Sequence, residues 1–153
     1  MPDQRFWQAR PVSARHSTTL ENLDVIGDNK SAVNIGAPLP TTIYKICEEA
    51  LWREAEQAGT FRGAPVDARD GFIHFSTSAQ VRETAARHFA GADGLLLIAV
   101  SAEALAGALK WEVSRGGDLF PHLYGALPLA AVKWTRPLPL GDDRRHVFPE
   151  LPP

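Results

Sequence analysis

Five side chains between residues 74 and 124 carry the chemistry that this sequence can offer: His74, His88, Glu112, His122 and Tyr124. An imidazole at His74 sits in the apolar stretch Gly71-Phe72-Ile73-His74-Phe75-Ser76-Thr77. Buried there, it must find partners, because an unsatisfied buried polar group costs roughly 1–3 kcal/mol. It is either a core histidine bonded to a backbone carbonyl or a group that faces a ligand. Ser76 lies two positions on and shares its face if the stretch is a strand. Glu112 follows Trp111 and precedes Val113, so it is a carboxylate on an alternating segment. Its alternatives are a solvated strand carboxylate or a partner for Lys110 or Arg115. His122 and Tyr124 fall in Phe120-Pro121-His122-Leu123-Tyr124-Gly125, which reads as a loop dense in large side chains. Loops on a rigid scaffold often carry function. The bland alternatives are backbone capping for His122 and core packing for Tyr124 and Phe120. Three imidazoles with a carboxylate would suit zinc. However, the spacings of 14 residues (74 to 88) and 34 residues (88 to 122) match no metal motif, so no metal ligand is assigned.

These groups need elements to position them. Asp70-Gly71 is a turn signal before the His74 strand. Phe72, His74 and Ser76 should face one way and Ile73 and Phe75 the other. A helix is expected from about Ser78 to Phe89, with Thr77 and Gln80 as a capping box. Val81, Ala85, His88 and Phe89 fall on one face of it, so His88 belongs to the apolar side. Upstream, Ile43-Tyr44-Lys45-Ile46 alternates as a strand. Glu48 to Ala58 follows as a helix with Leu51, Trp52, Ala55 and Ala58 in a stripe and Gly59 as its C-terminal cap. Thr60-Phe61-Arg62 reads as a short edge strand. Gly63 to Asp70 reads as a loop in which Asp67 and Asp70 form turns. Leu95 to Val100 is a continuous apolar run and should be a fully buried central strand. Ser101 can cap a short helix through Leu109. Lys110 to Ser114 and Ala130 to Trp134 read as strands.

The whole chain sets the bounds. Its 153 residues suffice for one core. A hydrophobic content of 44% and a charged content of 22% are ordinary for a globular protein. The net charge of −2 gives no footprint for nucleic acid or an anionic membrane. No run reaches the roughly 20 apolar residues of a membrane span. The start lacks a secretory pattern, so the cytoplasm is the expected compartment. One cysteine, Cys47, excludes an internal disulfide. Residues 1–40 are polar, aperiodic and punctuated by Gly36-Ala37-Pro38-Leu39-Pro40, and read as a flexible extension. Residues 41–136 form the globular domain. Residues 137–153, with Pro137, Pro139, Pro149, Pro152 and Pro153, form an extended tail that packs on the domain or trails from it. The expected class is α+β, a single domain.

Taken together, Ile43-Tyr44-Lys45-Ile46, Asp70-Gly71-Phe72-Ile73-His74-Phe75-Ser76-Thr77, Thr84-Ala85-Ala86-Arg87-His88-Phe89, Trp111-Glu112 and Phe120-Pro121-His122-Leu123-Tyr124-Gly125 resemble the domain-of-unknown-function 952 family. The family brings no established activity. Its fold resembles that of the ADP-ribosyltransferase-like proteins, which implies a split β-sheet with flanking helices and a cleft for NAD. In such proteins a strand carries a histidine, usually a glycine, then serine or threonine. His74-Phe75-Ser76 matches the first and third positions, and Phe75 departs at the second. The resemblance implies His74 and Ser76 as cofactor-binding residues, and His88, His122 and Tyr124 join them as candidates by residue type. Glu112 and His74 would be the catalytic pair, with the carboxylate stabilising positive charge on the ribose. Tyr124 would stack on nicotinamide. NAD is then the candidate cofactor and a small molecule the expected partner. A non-catalytic binding module and a His-rich metal enzyme are the alternatives.

Overall fold

A computed structural model describes residues 39–152. The expected extension over residues 1–40 therefore lies outside the described residues, apart from Leu39 and Pro40. The architecture is mixed α and β, with antiparallel sheets and few helices. The elements run β1 (Thr42–Glu48), α1 (Glu49–Ala58), β2 (Thr60–Phe61), α2 (Pro65–Asp70), β3 (Ile73–His74), α3 (Val81–His88), β4 (Leu95–Ser101), β5 (Leu109–Val113), β6 (Leu119–Leu123), β7 (Leu127–Pro128) and β8 (Val132–Pro137).

The first sheet has the order β1-β4-β8. Its middle strand, β4, is the apolar run Leu95 to Val100, and every residue of that run is buried. The side chains divide by alternation, as a pleated strand dictates. Leu96, Ile98 and Val100 enter one core with Ile43, Trp52, Phe61, Ile73, Phe75 and Leu123. Leu95, Leu97 and Ala99 enter a second core with Tyr44, Ile46, Val81, Ala85 and Leu138. The sheet is thus covered on both faces, which is why β4 needs no polar alternation. The tail joins the second core: Phe148 and Leu151 pack against it, and the Tyr44 hydroxyl donates to Pro152 O at 3.4 Å.

The second sheet of interest has the order β3-β6-β5. His74 pairs with His122, and Lys110 pairs with His122 on the other side. Residues opposite one another share a face. Phe72, His74, His122, Tyr124, Lys110 and Glu112 therefore lie on one side, while Ile73, Leu123, Leu109 and Trp111 turn toward the first core. The two sheets meet at one bridge, where Tyr44 N–H donates to Ser76 O at 2.8 Å and Ser76 N–H to Tyr44 O at 2.9 Å.

Four expectations require correction. Phe120 to Gly125 is not a loop: residues 119–123 form β6, the middle strand of its sheet. Pro121 is tolerated because its missing donor points to the β3 side, where the named ladder ends at His74. Its carbonyl still accepts there, from Phe75 N–H at 3.0 Å. Gly63 to Asp70 is not a simple loop either. Pro65 starts the helix α2, and Gly71 at φ 87° closes it, its N–H donating to Asp67 O. The helix expected from Ser78 begins at Val81, because Ser78 to Gln80 form a turn. The Gln80 side chain still reaches back to Thr77 N–H at 3.0 Å. Ser101 accepts from Ala104 N–H at 3.2 Å, but the segment it caps is a single 3-10 turn, Glu103–Leu105.

Candidate functional site

Lys45 is the side chain that sets up the site. It lies on β1 between Ile43 and Cys47, on the face that enters the first core, and only 5% of its surface is exposed. An ammonium there requires a counter-charge. Asp67 of α2 supplies it, at 3.0 and 2.8 Å from the two carboxylate oxygens to Nζ. The same carboxylate accepts from Ala64 N–H at 2.7 Å and from His74 N–H at 3.1 Å, and faces His74 Nδ1 at 2.6 Å. Burial pushes the Asp67 carboxyl up, but the Lys45 charge and the His74 contacts outweigh it and hold it below the usual carboxylate range. A carboxylate only accepts, so Nδ1 of His74 is the donor. On the far side of the ring, Asp70 Oδ2 stands 3.0 Å from His74 Nε2 without the alignment of a hydrogen bond. The His74 imidazole is thereby fixed in plane and orientation.

A cavity of about 620 Å³ lies along the open edge of β1. Residues from both faces of that strand line it, and α1, α2 and α3 wall it in. His74, Ser76, Thr84 and His88, all buried, lie behind its wall; Leu51, Val66 and Phe89 are among its apolar residues. Ser76 Oγ and Thr84 Oγ1 are 2.9 Å apart, and Arg115 Nη2 donates to Thr84 Oγ1 at 3.3 Å. The N–H and C=O of Ile46 point to the same edge as those of Tyr44, and so turn toward this space.

Glu112, His122 and Tyr124 do not line that cavity. They form a second group beside it. Glu112 Oε1 accepts from Tyr124 OH at 2.7 Å and from His122 Nδ1 at 2.9 Å. Phe72 stands among the rings: its centroid is 4.2 Å from His122, 4.6 Å from His74 and 5.3 Å from Tyr124. His74 and His122 meet edge to face at 5.5 Å. His122 is fully buried, and burial pushes its imidazole down; the Glu112 hydrogen bond opposes this and the nearby His74 adds to it. Its Nε2 has no hydrogen-bond partner among the described residues. Burial and the Glu112 carboxylate together push the Tyr124 hydroxyl up to about 12.

The six residues singled out from the sequence thus fall into two adjoining groups. His74, Ser76 and His88 are buried beside the cavity, while Glu112, His122 and Tyr124 are bonded to one another across Phe72. No three His, Cys, Asp or Glu side chains among the described residues are placed to hold a metal ion. Asp67, read as a turn former, is instead the hub. The available signal was Lys45: a charge at a core-facing position of a strand calls for a buried partner.

A mixed α/β domain with a walled cavity beside a carboxylate-anchored histidine is the class that fold and geometry define. Residues 46–135 match the family described as Protein of unknown function (DUF952), and the chain belongs to that family. It is also similar to CC0527 from Caulobacter crescentus. The X-ray crystal structure of that protein is 48% identical, with a TM-score of 0.68, covering 70% of this chain and 94% of that one. Its solution NMR structure gives a TM-score of 0.63 at 48% identity, covering 69% and 91%. No curated protein matches the chain. None of the helices among the described residues is long and apolar enough to cross a membrane.

Proposed function

We propose that this domain binds a small ligand, NAD or a related nucleotide, in the cavity along the open edge of β1. The observation that carries the reading is that one space of about 620 Å³ is walled by both His74 and Ser76. Its volume suits a ligand of that class, since small-molecule pockets run roughly 300–1,000 Å³. An imidazole already oriented by Asp67 costs a ligand little ordering. His74 and Ser76 are also the two positions that match the histidine strand of ADP-ribosyltransferase-like proteins. The wall carries Glu48 and Glu54 against Arg69, whose guanidinium is already paired with Asp70 at 3.2 Å, so the phosphate-bearing part of a nucleotide would compete with that carboxylate.

Glu112, the carboxylate that such chemistry would use at the ribose, is not on that wall. Catalysis there requires the ligand to extend past Phe72. Binding without turnover is therefore the second reading, favoured by the position of Glu112. Calorimetric titration of the full chain with NAD tests the first. Ala50 is exposed on α1 and lines the cavity, so Ala50→Trp fills the space without disturbing the core. Saturable heat in the wild type that Ala50→Trp loses, at unchanged melting temperature, is the expected result. No heat at millimolar NAD, or equal binding in the variant, overturns it. An assay for released nicotinamide then separates turnover from binding.

A further inference from the structure

A second cavity, of about 570 Å³, lies on the outer side of α3, between that helix and the tail. Its lining is unlike that of the first. Arg82, Arg144, Arg145 and His146 surround a floor of Ala85, Ala86 and Ala90, with Phe148 at one side. Like charges gathered around one space repel, and the usual remedy is a carboxylate. Elsewhere in the domain that remedy is used: Arg53, Arg69, Arg87 and Arg115 each have a carboxylate oxygen within 3.4 Å. The guanidiniums of the three cavity arginines, all exposed, have no carboxylate partner among the described residues, although Arg145 N–H donates to Asp143 Oδ1 at 3.0 Å. Arg82 lies over the Phe148 ring at 5.1 Å. Arg144 Nη2 donates to Gly91 O at 3.2 Å.

The backbone holds these charges in place. Arg144 N–H donates to Gly141 O at 2.9 Å, Gly141 N–H to Arg145 O at 2.7 Å, and Val147 N–H to Pro139 O at 2.8 Å. His146 Nε2 donates to Ala92 O at 2.8 Å and ties the turn to the end of α3. Arg144 adopts φ 65°, the only positive φ outside glycine among the described residues. An arginine gains nothing from that conformation by itself, and such strain is found where surrounding structure and function require the side chain. Residues 144–146 also lie beyond the segment that matches the family.

We infer that this cavity is a binding site for the phosphate group of a small organic molecule, held by the guanidiniums of Arg82, Arg144 and Arg145. Guanidinium presents planar, forked donors that match phosphate oxygens. The alanine floor and Phe148 accommodate an apolar body, and the volume falls in the range of small-ligand pockets. The site is separate from the cavity at β1 and does not depend on the nucleotide reading. The test is calorimetric titration of the full chain with inorganic pyrophosphate at low ionic strength, alongside Arg145→Ala and Arg144→Gly. The second variant removes a guanidinium and its bond to Gly91 O but relieves the positive φ, two opposed effects that keep its melting temperature close to that of the wild type. Saturable binding that weakens at least tenfold in both variants, with melting temperatures close to that of the wild type, is expected. No saturable heat, or wild-type affinity in both variants, overturns the assignment.

Discussion

Asp67 Oδ1 stands 2.6 Å from His74 Nδ1, and the same carboxylate grips Lys45 Nζ at 2.8 Å. One buried acid thus satisfies a strand lysine and orients a strand histidine. Replacing it with asparagine leaves Lys45 buried without its counter-charge. Breaking a buried pair in this way costs about 3–5 kcal/mol. Asp67→Asn should lose that much unfolding free energy in guanidinium titrations near neutral pH, whereas Asp142→Asn, exposed in the tail, should lose almost none.

The same carboxylate sets an acid limit. Its folded-state value is held below the usual range, chiefly by Lys45 and His74 working against burial. A depressed carboxyl contributes stability that is fully present above its unfolded value of about 3.9 and disappears as pH falls through the folded value. The stability gap between wild type and Asp67→Asn should therefore be constant above about pH 5 and shrink below pH 4. A gap that stays constant down to pH 2 would contradict the ion pair.

Much of the scaffold was legible because it is written locally. Leu95 to Val100 can only be a strand buried on both faces, and Gly59 after an apolar stripe marks where α1 ends. The hub was not legible in the same way. Asp67 lies in a polar hexapeptide whose partner, Lys45, is 22 residues away, and long-range pairing leaves no local period. The stretch around Pro121 read as a loop, yet it is a strand in which the missing donor of Pro121 faces the end of a ladder. The division of the candidate site in two was equally hidden. Periodicity gives the face of each strand that carries His74 and Glu112, but neither the register that puts them on one side of a sheet nor which of them lies beside a cavity.

His122 offers a test of that division. Glu112 accepts from its Nδ1, so Nε2 carries a lone pair with no donor among the described residues. His122→Phe removes the stranded nitrogen and keeps a ring against Phe72. The gain of roughly 1–3 kcal/mol should offset the lost bond to Glu112, leaving stability at pH 7.5 within about 1 kcal/mol of wild type. The pH dependence should change more. Burial depresses the folded imidazole, so below about pH 6.5 the unfolded chain binds a proton that the folded state refuses. Wild-type stability should then fall with acid from about pH 6.5 down to the folded value, and the variant should lose that part of the slope. Equal slopes in denaturant titrations at pH 7.5, 6.5 and 5.5 would sink the assignment.

Tyr124 reports on Glu112 directly. The chain has two tyrosines, so Tyr44→Phe isolates Tyr124 in an ultraviolet titration. Its hydroxyl should ionise near 12, raised by burial and by the carboxylate that accepts its proton. Glu112→Gln removes the charge but keeps an acceptor, and the midpoint should move down toward the ordinary value of about 10. No movement would mean that Glu112 does not hold Tyr124 in solution, and the second group of the site would dissolve into separate surface residues.

Two glycines flank the helix that carries Asp67, and they should respond differently to alanine. Gly63 adopts φ 106°, and a Cβ there would stand 2.7 Å from Asp67 Cβ and 3.2 Å from its Oδ2. Gly71 adopts φ 87°, and a Cβ there would meet nothing within 4 Å. Both alanines incur the cost of a left-handed backbone, about 1 kcal/mol or somewhat more. Gly63→Ala must also push α2 away from Lys45 and His74, which loosens a buried ion pair that leaves little room for error. Gly63→Ala should therefore destabilise by at least about 2 kcal/mol more than Gly71→Ala, and its excess cost should diminish on an Asp67→Asn background, where the pair is already broken. Equal losses from the two glycines in thermal and denaturant unfolding would show that the approach of residue 63 to Asp67 does not constrain the site.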